Sequence, residues 1–221
     1  MQKFDTTAPI SAVLDIPAGR VRIVADDRAD TTVEVLPADP SKSADVTSAE
    51  RTTVGYADGV LRIHTPESEK RLVGATGSLE VTLKLPAGSH VEAKAAAAEL
   101  DGAGRLGDVA FEGAYRRIRI DEAASVRLTA VDGDVEVGRL GGSSEITTAR
   151  GDIRIAEAVG GTVVLRTESG DISVAAAAGV SAALDAGTGY GRVANALKSD
   201  GTAALDIRAT TSHGDITARS L

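Results

Sequence analysis

Cysteine is absent from the 221 residues. That excludes disulfides, thiol catalysis and thiolate metal sites. Aromatic residues are nearly absent too: two Phe, three Tyr and no Trp, beside a single Met. A 43% hydrophobic fraction still suffices for a core, but that core must be built from Val, Ile, Leu and Ala in thin layers. No apolar run is long enough to cross a bilayer, and the first ten residues, MQKFDTTAPI, hold no signal-peptide core. A cytoplasmic location without membrane insertion is therefore expected. A basic excess is missing as well. Lys and Arg number 24 against 32 Asp and Glu, for a net charge of -8 and a pI near 5.0. Nucleic-acid binding through phosphates needs clustered positive charge, so it is not expected.

What is present is a repeat. From Asp132 a short phrase recurs: DGDVEV at 132, RGDIRI at 150, SGDISV at 169, YGRVAN at 190 and HGDITA at 213. Its glycines, Gly133, Gly151, Gly170, Gly191 and Gly214, are spaced by 18, 19, 21 and 23 residues. Two positions after each glycine stand Val135, Ile153, Ile172, Val193 and Ile216. Five before stand Leu128, Ile146, Leu165, Ala186 and Ala209. Thr148, Thr167, Thr188 and Thr211 share the position three before, which suggests side chains stacked between repeats. Between the apolar positions lie Asp134, Asp152, Asp171, Arg192 and Asp215. Alternation with period two on both sides of a Gly-Asp turn reads as strand, turn, strand. The Gly admits positive φ and the Asp can hydrogen-bond nearby backbone. A unit this small buries its apolar face only by stacking on neighbours. The expected fold is all-β: a β-solenoid of stacked strand repeats, about 4.8 Å from strand to strand.

The register runs backward without glycine. Arg116 as anchor places Ile118 and Ile120 after it and Phe111 before it; Ala98 places Leu100 after and Val91 before. The segment EAKAAAAEL (92–100) consists of helix formers, yet the register assigns it to a strand. The N-terminal third is looser and holds all six Pro, between residues 9 and 86. Segments 37–50 and 65–78 are polar, rich in turn formers, and read as loops. The expected organisation is an N-terminal β-rich cap region, 1–82, followed by regular repeats, 83–221, within one continuous domain. Solenoid ends need such caps.

Two phrases, LDIPAG (14–19) and LKLPAG (83–88), together with the turns DGDV, RGDI, SGDI and HGDI, resemble the bacterial adhesin-like β-strand-repeat family of unknown function, the Toastrack family. The resemblance covers most of the chain. It implies a β-helical, non-enzymatic scaffold. A surface adhesin would carry a signal peptide or a sortase signal, and LPAG stands here in mid-chain.

Several residues invite a functional reading. A row of Asp134, Asp152, Asp171 and Asp215 could bind Ca²⁺ through hard oxygens. However, the calcium-binding nonapeptide phrase is absent, and the favoured reading is that each Asp stabilises its own turn. Arg150-Gly151-Asp152 matches the integrin tripeptide, but Asp132, Ser169, Tyr190 and His213 occupy the Arg position elsewhere, so the Arg is a variable turn residue. GTGYGRV (187–193) has neither the spacing nor the βαβ context of a dinucleotide fingerprint; Gly187 and Gly189 read as loop flexibility. Tyr190, a rare aromatic at a turn, is a candidate anchor for a partner. Arg117 and Arg119 share an outward strand face opposite Ile118 and Ile120, which suits edge protection or an acidic partner. The three His, at 64, 90 and 213, are scattered in the register.

No cofactor, metal site or catalytic residue is expected. The leading expectation is a non-catalytic scaffold that binds a protein partner through outward positions such as Arg117, Arg119, Arg127, Glu136, Glu145, Arg154 and Arg166, with Tyr190 beside them. The first alternative is a self-assembling structural protein of bactofilin type, since the C-terminal strand has no cap after it. The second is a carbohydrate-active β-helix enzyme, which the shortage of aromatics opposes.

Overall fold

The computed structural model describes residues 1–66 and 77–221. The expected loop at 65–78 lies mostly outside them. The strands, in chain order, are β1 (Gln2–Asp5), β2 (Ser11–Asp26), β3 (Asp30–Pro37), β4 (Thr53–Ala57), β5 (Val60–His64), β6 (Leu79–Pro86), β7 (His90–Leu140), β8 (Ser144–Arg150), β9 (Ile153–Ala158), β10 (Gly161–Ser169), β11 (Ile172–Ala176), β12 (Ala182–Tyr190), β13 (Val193–Ala196), β14 (Leu205–His213) and β15 (Ile216–Ser220). The repeat unit is a rung of two short strands hinged at the glycine. Stacking the rungs builds two parallel ladders. One runs β4-β5-β2-β7-β8-β10-β14-β12, and the other runs β1-β3-β6-β2-β7-β9-β11-β15-β13. The long strands β2 and β7 serve both ladders because their bends do not break the pairing.

The alternation read from sequence is the burial pattern of the strands. In β14 every second residue, Leu205, Ile207, Ala209 and Thr211, is buried. Inner side chains of both ladders form one core cluster that runs from Ile10 to Ala218. The Ala-rich stretch is extended and lies within β7. There Ala93 and Ala98 are buried against β2, with Leu14 opposite Ala93 and Gly19 opposite Ala98. Small side chains fit where backbones stack closely, and tertiary pairing overrides helix propensity.

The stacking order differs from chain order at both ends. Near the start, β2 lies between the β5/β6 rung and β7, pairing in parallel with all three. Near the end, β14 and β15 lie between β10/β11 and β12/β13. The expectation of an uncapped C-terminal strand is therefore corrected: that strand is enclosed on both sides, and β12/β13 is the outer rung. At the opposite end the ladders are closed by antiparallel strands, β3 and β1 on one and β4 on the other.

The expected loop over 37–50 is corrected too. It contains a helix, α1 (Ser43–Arg51). A nine-residue helix is marginal alone. This one is fixed by the buried Asp45, whose carboxylate accepts from the backbone amides of Asp39 at 3.0 Å and Ser78 at 2.8 Å.

Candidate functional site

Three groups of residues form columns along the stack. The first is the glycine column at the hinge. Gly151 has φ +129°, and a Cβ there would stand 2.2 Å from the carbonyl oxygen of Gly133. The carbonyl of the preceding rung occupies the space a side chain would need. Arg116, the anchor without glycine, adopts φ +76°.

The second column is made of the acids beside those glycines. Asp134 Oδ1 accepts from the Asp152 amide at 2.9 Å, and Asp152 Oδ1 from the Asp171 amide at 2.7 Å. Asp171 Oδ1 accepts from the Asp215 amide at 2.7 Å, and Asp215 Oδ1 from the Arg192 amide at 2.8 Å. Each carboxylate thus caps the turn of the next rung, a correction to the expectation that it serves its own. The N–H donated from that next turn holds the Asp215 carboxyl below the usual aspartate range, and the Arg192 guanidinium at 3.0 Å lowers it further. Every acid in the row has one oxygen committed to backbone. Among the described residues no three His, Asp or Glu side chains converge as metal ligands would.

Beneath the acids lies the threonine column. Thr167 donates to the carbonyl of Gly151 at 3.1 Å, Thr211 to that of Gly170 at 3.0 Å, and Thr188 to that of Gly214 at 2.9 Å. Neighbouring rungs are joined by these hydroxyls as well as by the ladder.

The outward arginines sit in ion pairs, two of them between rungs and that of Arg119 within its own. Arg117 lies 3.4 Å from Glu136, Arg119 3.3 Å from Asp121, and Arg166 3.6 Å from Glu145. All are well exposed, so each pair contributes at most about 1 kcal/mol. Arg154 is exposed, in register between Glu136 and Ser173, with no ion pair among the described residues. In the integrin-like tripeptide, Arg150 is held by Asp132 at 2.9 Å and Asp152 belongs to the acid row. Tyr190 is 75% exposed and stacks on His213, with ring centroids 5.1 Å apart and planes 10° from parallel. Gly187 and Gly189, expected in a loop, belong to β12. A Cβ on Gly189 would come within 2.7 Å of the Ser212 carbonyl oxygen, so that glycine permits close strand approach.

One cluster escaped the sequence reading. A groove of about 660 Å³ crosses several rungs on the outside of the first ladder, lined among others by Ser11, His90, Asp108, Ser125, Arg127 and Glu145. Ser125 Oγ donates to Asp108 Oδ1 at 2.6 Å, and the Asp108 backbone amide donates to His90 Nδ1 at 3.1 Å. A Ser-His-Asp triad needs His to donate from Nδ1 to the carboxylate and to take the Ser proton at Nε2. Here His90 Nδ1 does lie 3.3 Å from Asp108 Oδ2, but it also faces the Asp108 amide, and the Ser hydroxyl is bonded to the acid in place of the imidazole. The sequence signal for this cluster was the repeat period itself, since 90, 108 and 125 are one rung apart.

Stacked parallel rungs, a continuous aliphatic core and hinge glycines define a β-solenoid-like repeat protein. The sequence profile of the Toastrack DUF4097 family matches residues 88–219, and the chain belongs to that family, as the turn motifs implied. Among solved structures, a putative adhesin from Bacteroides fragilis has a similar fold. The TM-score is 0.56 at 14% identity, over 98% of this chain and 95% of that one. One from Parabacteroides distasonis gives a TM-score of 0.41 at 14% identity, over 98% and 95%. A protein from Clostridium sporogenes named for cell adhesion gives 0.40 at 12% identity, over 100% and 98%. At these identities the likeness speaks of fold alone, and of the three the first carries it. The comparison with curated proteins found no match.

Proposed function

We propose that the protein is a non-catalytic, adhesin-like scaffold that binds a protein partner along the outer face of its first ladder. The observation that supports this reading most directly is the groove over Ser11, His90, Asp108 and Ser125. It crosses rungs held rigid by the hinge columns, and Arg127 and Glu145 at its side offer charge of both signs. A rigid, preorganised face lowers the ordering cost of association. The adhesin name of the Bacteroides relative is consistent with a role in contact with another molecule. The Ser125 hydroxyl, bonded to Asp108 and not to His90, gives no support to a hydrolase or lyase. The test is affinity capture from native lysate with the wild type and with Arg127→Glu. A partner retained by the first and lost by the second supports the reading. Identical capture by both, or none by either, overturns it.

A further inference from the structure

The two ends of the stack are finished differently. At the β1/β4 end, antiparallel strands close both ladders, and Phe4 of β1 meets Tyr56 of β4 with ring centroids 5.5 Å apart. Two of the five aromatics thus cover the core where the ladders end. At the β12/β13 end, among the described residues, no strand pairs with the outer edge of β12 or β13; only the segment after β13 reaches it, where Leu197 packs against the core and the Lys198 carbonyl accepts from the Ala182 amide. Leu184 and Ala186 are half-buried and Val193 is 45% exposed, while their register partners one rung inward, Ile207, Ala209 and Ile216, are at most 1% exposed. Edge strands are normally protected by charge, Pro or bulges. The strands AALDAGTGY and VANA carry one charged residue, Asp185, and no Pro.

We infer that this edge pairs with the same edge of a second copy of the chain, closing a two-fold dimer. An occupant must bring two strands hinged as β12 and β13 are hinged, with small or apolar side chains on their inner faces, because both ladders and the core between them end open together. A single extended peptide covers one ladder only. A second copy of this end supplies both strands. The β1/β4 end offers an antiparallel, aromatic-covered edge instead, so head-to-tail growth has no matching surface and the assembly stops at two. The weak charge of the edge matters here, since each copy carries -8 overall. Antiparallel pairing about Ala186 sets Asp185 opposite Gly187 of the second copy, so the two carboxylates avoid each other.

Light scattering behind a size-exclusion column, from micromolar to millimolar full-length protein, tests this. The mass is expected to rise from 22.4 kDa to twice that value and stop. Gly187 and Gly55 both have open space where a Cβ would stand, one on β12 and the other on β4. Gly187→Glu, which sets its carboxylate opposite Asp185 of the second copy, is expected to hold the mass at 22.4 kDa with an unchanged far-ultraviolet dichroism spectrum, and Gly55→Glu to dimerise as the wild type does. Gly187→Asp, with a shorter side chain in the same open space, repeats the test should the first variant fold poorly. The inference is overturned by a wild type that stays monomeric, which would leave the edge to another occupant. Growth beyond the dimer overturns it too, as does a folded Gly187→Glu or Gly187→Asp variant that still dimerises or a Gly55→Glu protein that does not.

Discussion

Asp171 accepts a hydrogen bond from the backbone amide of Asp215 at 2.7 Å, across 44 positions of sequence. The next hinge along the chain, Gly191, stands one rung further out, where Arg192 donates to Asp215. This single link marks the insertion of the last rung. Replacing Asp171 with Ala removes the acceptor from an exposed site. The expected loss is about 0.5–1.5 kcal/mol of stability, the usual net worth of one such bond. Equilibrium urea unfolding measures it, and no change in midpoint would mean that solvent replaces the carboxylate at no cost.

The hinge glycines are expected to tolerate substitution worst. Gly151→Ala forces a Cβ into a φ of +129° and onto the Gly133 carbonyl oxygen. The backbone conformation alone costs about 1–3 kcal/mol, and the overlap adds to it. Gly187→Ala, with open space at its Cβ, is the matched control. The thermal midpoints of the two variants should separate clearly; equal midpoints would contradict the stacked-hinge account.

Thr211→Val keeps the shape of a buried side chain and deletes the hydroxyl that caps Gly170. An acceptor left without its partner in a buried setting costs about 1–3 kcal/mol. Chemical denaturation of this variant beside Thr217→Val, an exposed threonine of the same rung, isolates the hydroxyl. The second is expected to lie near the wild type.

Asp215 gives a pH prediction. Its folded pKa lies below the ordinary value of 3.8, chiefly through the Arg192 amide and secondly through the Arg192 side chain. A depressed carboxylate contributes its stabilisation above the unfolded pKa and loses it as the pH falls through the folded one. The outer rung should therefore loosen only in acid below 3.8. Carboxyl-carbon NMR titration should show Arg192→Ala raising the Asp215 pKa while leaving it below that value, because the amide of residue 192 still donates. A full return to 3.8 would show that the guanidinium acts alone.

Rung order predicts an unusual truncation response. Removing 205–221 takes away β14 and β15, on which β12 and β13 depend for pairing. Trypsin should then cut at Arg192 and Lys198 far faster than in the intact chain. Unchanged protection would mean that β12/β13 can dock directly on β10/β11.

Much of the architecture was legible in the chain itself. The hinge glycines, the apolar positions two after and five before them, and the strand character of EAKAAAAEL follow from period two and a repeat of about eighteen residues, because a stacked rung repeats the same local demands each time. The rung order was not legible, for the same reason. Rungs with identical patterns are locally interchangeable. Stepping over one rung requires a shift of about 10 Å, which the chain between β11 and β12 and between β13 and β14 readily spans, at up to about 3.5 Å per residue. Which rung docks on which is decided by the summed fit of side chains on both faces, as is the meeting of His90, Asp108 and Ser125 in one groove. The sequence by itself determined the strand, the hinge and the aliphatic core. Only the tertiary structure decided that the last rung is enclosed, that each acid caps its neighbour, and that β12/β13 forms the open end.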